Sequence, residues 1–124
     1  MKAIRYAVLL VLVSMIFVSC SGGVSSDKAS VGAVPIVVKI GRDNCIPCIE
    51  MNKILESVGD QMGDKVDIRV IDVRDDPDAA SKYGIRVIPT TIFYDISGNE
   101  RYRFEGVVQR EDVVSYISEC GVGK

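Results

Sequence analysis

Two cysteines, Cys45 and Cys48, flank Ile46 and Pro47, close enough to shut a small disulfide ring and open it again. The pair follows an apolar run, Pro35-Ile36-Val37-Val38-Lys39-Ile40, and opens a stretch patterned like a helix. A helix start leaves backbone N–H groups unpaired and carries a partial positive charge, so a thiol placed there is favoured as the attacking thiolate. Cys45 is the candidate nucleophile, and Cys48 the thiol that resolves its adduct. Their chemistry is dithiol–disulfide exchange, for which no cofactor is expected. A tetrahedral metal site needs further ligands, yet the chain has no His and only Cys20 and Cys120 as other thiols, so no metal is expected.

The elements around the pair alternate between strand and helix. Pro35 to Gly41 reads as a central strand covered on both faces. From Cys45 to about Gly59, Ile49, Met51, Ile54, Leu55 and Val58 recur at helical spacing, with Gly59 or Gly63 as the stop. Val66 to Val73 alternates apolar and polar residues and predicts a strand parallel to the first. Asp75-Asp76-Pro77 opens a helix running to Tyr83 before Gly84. Thr90–Asp95 and Glu100–Glu105 form an antiparallel hairpin about Ser97-Gly98-Asn99. A last helix starts at Gln109-Arg110-Glu111-Asp112, turns Val113, Val114 and Ile117 inward and ends at Gly121.

The chain resembles the thioredoxin family over about residues 35 to 120. The resemblance is carried by Cys45-Ile46-Pro47-Cys48, Lys82-Tyr83-Gly84-Ile85-Arg86, Ile88-Pro89-Thr90 and Gly106. It implies an α/β, thioredoxin-like fold: a central four-stranded mixed sheet flanked by about three helices, lacking the family's N-terminal strand and helix. It also implies that Pro89 is cis and that Ile88 and Pro89 form the platform on which an extended substrate segment lies. A proline suits that place, because X-Pro adopts cis at modest cost and leaves no N–H beside the sulfur.

Two positions depart from the family pattern. Asn44 stands where a Trp commonly precedes the first cysteine, and Lys39 stands where thioredoxins commonly bury an Asp. Lys39 could modulate proton affinity at Cys48 by charge or as a proton acceptor. The other reading is a lysine whose stem packs on apolar surface while its amine reaches water. Cys120, near the end of the last helix, reads as a small buried residue.

Ahead of the domain, Lys2 and Arg5 precede an apolar run from Ala7 to Val18, the layout of a secretion signal over residues 1–19. The run is short for a membrane-spanning helix, which needs about 20 apolar residues. Phe17-Val18-Ser19-Cys20 resembles the lipobox of bacterial lipoproteins, although Phe17 departs from the usual aliphatic residue. That resemblance makes Cys20 the lipidated N-terminus and residues 20–34 a lipidated cysteine and flexible tether. The Gly-, Ser- and Ala-rich stretch would reach on average roughly 20 Å. The folded domain then occupies 35–124, outside the cytoplasm and held at the membrane.

A net charge of −2 with scattered Lys and Arg gives no concentrated basic face, so nucleic acid is not an expected partner. The expected activity is thiol–disulfide exchange on extracytoplasmic protein disulfides. With no His between the cysteines, and Ile before Pro89 as in reducing thioredoxins, the resemblance leans to a reductase. A membrane thiol carrier would recharge it, and it is expected to work as a monomer. The alternative is a non-catalytic envelope scaffold in which the disulfide is a static staple.

Overall fold

The computed structural model describes residues 34–121. The expected signal peptide, Cys20 and all but the last residue of the tether therefore lie outside the described residues. Within them stand strands β1 (Ile36–Gly41), β2 (Asp67–Asp72), β3 (Thr90–Tyr94) and β4 (Glu100–Glu105), and helices α1 (Ile46–Met62), α2 (Ala79–Lys82) and α3 (Arg110–Gly121). The strands form one mixed sheet in the order β2-β1-β3-β4. β1 is parallel to β2 and antiparallel to β3, which pairs antiparallel with β4. This is the thioredoxin-like architecture expected.

β1 lies between two neighbours and is buried along its whole length. Strand alternation sends Val37 into a cluster with Met51, Leu55 and Val58 of α1 and Val113 and Ile117 of α3. Ile36, Val38 and Ile40 face the opposite layer with Ile92 of β3 and Ala79 of α2. A strand buried on both faces needs apolar residues on both, which is why β1 reads as a continuous run.

α1 buries Cys48, Met51, Leu55 and Val58, one stripe at helical spacing. It runs past Gly59 to Met62, and Gly63, with φ +54°, takes the cap position and donates its N–H to Gly59 O. Ile49 falls off the stripe and is 41% exposed.

The second helix is shorter than the sequence suggests. The N–H groups of Asp75 and Asp76 both go to Asp72 O, so this segment is a turn off the end of β2. Pro77 has no N–H to extend a helical ladder, and only Ala79–Lys82 is regular. Four aromatic residues gather on the α3 side, where Phe93, Tyr102, Phe104 and Tyr116 pack together with the Phe104 and Tyr116 centroids 4.7 Å apart, while Tyr83 and Tyr94 pack in the opposite layer. Cross-strand pairing of Phe93 with Tyr102 and of Thr91 with Phe104 puts them on one face.

Candidate active site

The loops leaving β1, β2 and β4 and the loop entering β3 all meet at one end of the sheet, because β1 runs parallel to β2 and against β3. Cys45 is the N-cap of α1, and its carbonyl accepts the N–H of Ile49 at 3.0 Å. No side chain caps this helix end and no acidic residue stands in its first turn. The free N–H groups and the positive end of the helix dipole are thus left to the sulfur of Cys45. Pro47 sits in the first turn, where its missing N–H costs no helical hydrogen bond.

Cys45 and Cys48 are joined in a disulfide, with Cα atoms 5.1 Å apart. The two differ in access. Cys45 is partly exposed, whereas Cys48 is fully buried against the sheet. An incoming disulfide can reach the first sulfur, and the second can attack only from behind. Ile46, 81% exposed between them, gives the rim of the site an apolar surface.

The loop before β3 supplies the other wall. The Ile88–Pro89 peptide bond is cis. Pro89 is buried, and its carbonyl accepts the Gly106 N–H at 2.7 Å. Gly106 reaches this position with φ +88°, a backbone state that favours glycine. Thr90 Oγ1 donates to Val87 O at 2.6 Å and closes the loop, leaving Val87 46% exposed.

Behind Cys48 lies Lys39, 1% exposed. Its amine does not reach bulk water, so the reading of a stem on apolar surface with a solvated head is corrected: β1 is interior and α1 covers the face on which Lys39 stands. A Cβ on Gly41 would fall 2.6 Å from Lys39 Nζ and 3.0 Å from Cys48 Sγ. Amine and sulfur share the space that this glycine leaves open. Burial pushes the Lys39 amine below its ordinary value, and the carboxylates of Asp72 and Asp43 offset part of that shift.

Asp72, at the end of β2, accepts the backbone N–H groups of Asp43 (2.9 Å) and Arg74 (2.8 Å). The Arg74 guanidinium also pairs with Asp43 at 2.5 Å and with Asp72 at 2.9 Å. These bonds, that of the Arg74 side chain first, hold the Asp72 carboxyl far below the usual carboxylate range. The network ties the loop carrying Cys45 to the end of β2. Gly41, Asp43, Asp72 and Arg74 were not singled out in the sequence. Gly41 stands two residues after Lys39, hence on its face of the strand, and that spacing was the available signal. Cys120 is buried and free, and burial raises its thiol above the ordinary value.

The family profile described as Thioredoxin matches residues 27–119. A thioredoxin of Rickettsia bellii is 27% identical over 85 residues, covering 68% of this chain and 80% of that protein. A chloroplastic thioredoxin Y1 of Arabidopsis thaliana is 32% identical over 96 residues, covering 77% of this chain and 52% of that protein. Among solved structures, a chloroplastic thioredoxin z superposes with a TM-score of 0.66 at 24% identity, over 73% of this chain and 81% of its own. Thioredoxin from Fasciola hepatica gives 0.64 at 25% identity, over 73% and 85%. The chain belongs to the thioredoxin family, and with the Cys45–Cys48 pair at its helix start it is a thiol–disulfide oxidoreductase.

Proposed function

We propose that this chain reduces protein disulfides outside the cytoplasm while tethered to a membrane through a lipid on Cys20. The observation that carries the catalytic part is the unequal access of the two sulfurs, Cys45 open at an uncapped helix start and Cys48 buried behind it. Cys45 thiolate attacks a substrate disulfide, its sulfur bonds to one substrate sulfur, and the other leaves as a thiolate. Cys48 then attacks Cys45 Sγ, closing the internal disulfide and expelling the second substrate thiolate. Two electrons pass from the pair to the substrate.

Ile88 and Pro89 serve as the platform beside the disulfide, with Ile46 and Val87 offering apolar contact to an extended segment. Cys45 and Cys48 are the catalytic residues. Reduction as the working direction is supported by the family likeness and by the absence of His between the cysteines. The signal-like leader and the lipobox-like Phe17-Val18-Ser19-Cys20 support export and anchoring. A reductase on that side of a membrane cannot draw directly on cytosolic reductants, so a membrane thiol carrier is its proposed electron source. The domain is proposed to act as a monomer.

The test is a titration of the purified full chain against a dithiol redox buffer, coupled to reduction of a protein disulfide, with Cys45→Ser as control. Reversible cycling of one dithiol and loss of turnover in Cys45→Ser are expected. A disulfide that does not cycle would leave the scaffold role standing instead.

A further inference from the structure

The exchange cycle contains a proton problem that the two cysteines alone do not solve. Cys48 must lose its thiol proton to attack Cys45 Sγ, yet its side chain is fully enclosed, and hydroxide or a buffer base cannot easily reach it. A base inside the fold is required. Lys39 supplies a side-chain amine beside this sulfur: its Nζ and Cys48 Sγ lie 2.6 and 3.0 Å from the same point next to Gly41. They are no farther apart than those two distances together allow.

We propose that Lys39 is the proton acceptor for Cys48, its uncharged amine taking the thiol proton as Cys48 attacks the mixed disulfide. This rests on the exchange cycle described above and assigns the base for its second half. In that step the Cys48 S–H bond breaks and a third N–H bond forms on Lys39. The Cys48 sulfur lone pair forms the bond to Cys45 Sγ, the Cys45–substrate S–S bond breaks, and its electron pair leaves with the substrate sulfur as a thiolate, which takes a proton from water. When the pair is re-reduced, the Lys39 ammonium returns its proton to Cys48.

The surroundings suit an amine that must exist in both states. The row across the sheet at Lys39 contributes Val70 from β2, Thr91 from β3 and Phe104 from β4, none of which carries a charge. Thr91 Oγ1 is buried without a hydrogen-bond partner. From α1, Cys48 is the ionisable group beside the amine, while Glu56 and Asp60 line a cavity shared with Val70, the residue in register with Lys39. Asp72 at the end of β2 and Asp43 in the β1–α1 loop are the charges that act on the amine, and Arg74 neutralises part of both. An apolar enclosure disfavours the ammonium, whereas the two carboxylates keep it accessible.

The test separates the two halves of the cycle in the full chain by rapid mixing with a protein disulfide and acid trapping of the mixed disulfide. In Lys39→Met, Cys45 attack is expected to persist while resolution slows by about tenfold or more near neutral pH, so that the Cys45 adduct accumulates. The difference should narrow only at high pH, where the concentration of hydroxide offsets its slow access to the enclosed sulfur. Lys39→Arg keeps a cation that cannot give up its proton, and it should be slow as well. Gly41→Ala retains the lysine but places a methyl group where amine and sulfur meet, and should slow the same step, which serves if Lys39→Met fails to fold.

Resolution rates and pH profiles that coincide in wild type and Lys39→Met would overturn the proposal. So would an Arg variant as fast as wild type, because charge alone would then suffice. If wild type formed no Cys45 adduct at all, it is the exchange reading that would fall, a result distinct from either.

Discussion

Burying an amine opposes folding, and Lys39 is buried at the centre of the sheet. Its folded proton affinity lies below the free-lysine value of 10.5, so the unfolded chain binds more protons between the two values. Stability should therefore rise with pH through that window. Lys39→Met, of similar length and without the charge, is expected to be more stable than wild type at neutral pH, with an advantage that shrinks as pH approaches 10.5. Denaturant midpoints of the two proteins across pH would check this. A variant that gains stability while losing the resolution step marks a residue held for chemistry. At this scale the pairing of Cys45 with Cys48 at a helix start was legible, because their spacing and place before a helix are local facts. It did not disclose the state of Lys39, since whether an amine reaches water depends on which helix covers the strand. The partners Asp72 and Gly41 come together only through register.

Helix α1 aligns the two sulfurs by rigidity. Its buried stripe ties it to β1 and α3, and Met51 also accepts the Val108 N–H through its sulfur at 3.4 Å. Leu55→Ala removes a fully buried side chain from the middle of that stripe and is expected to cost about 2–5 kcal/mol in denaturant unfolding. Exchange chemistry below the transition should change little, because Cys48 and Cys45 lie about two and three helical turns away. Elements with a strong period were legible: β1, α1, the β3–β4 hairpin and α3 all fall within a few residues of expectation. The segment after β2 was not, because Asp75-Asp76-Pro77 carries helix-start residues while the backbone spends their N–H groups on Asp72 O. Propensity marked the right place and the wrong structure, a tight turn followed by one helical turn.

Across the molecule, the strand order makes β2 an edge among the described residues, with Val70 53% exposed on the face that carries Lys39. Alternation along Val66–Val73 shows a strand but says nothing of its neighbours, so its edge position was beyond the sequence pattern. The parallel β1–α1–β2 unit and the antiparallel hairpin together gather the reactive pair, the Pro89 loop and the Asp72 network at one end. For the whole chain, the proposed lipid on Cys20 predicts that Cys20→Ser moves the protein from the membrane pellet to the soluble fraction without altering exchange in solution. Fractionation of cells expressing each form checks it. An unchanged membrane fraction would reject the anchor and leave the chemistry intact.

The proposed cycle requires Cys45 to be the sulfur that meets substrate and Cys48 the one that releases it. Trapping with a protein disulfide, followed by mapping of the adduct, tests this most directly. Cys48→Ser should hold a stable mixed disulfide through Cys45, and Cys45→Ser should hold none. An adduct mapped to Cys48, or none in either variant, would contradict it.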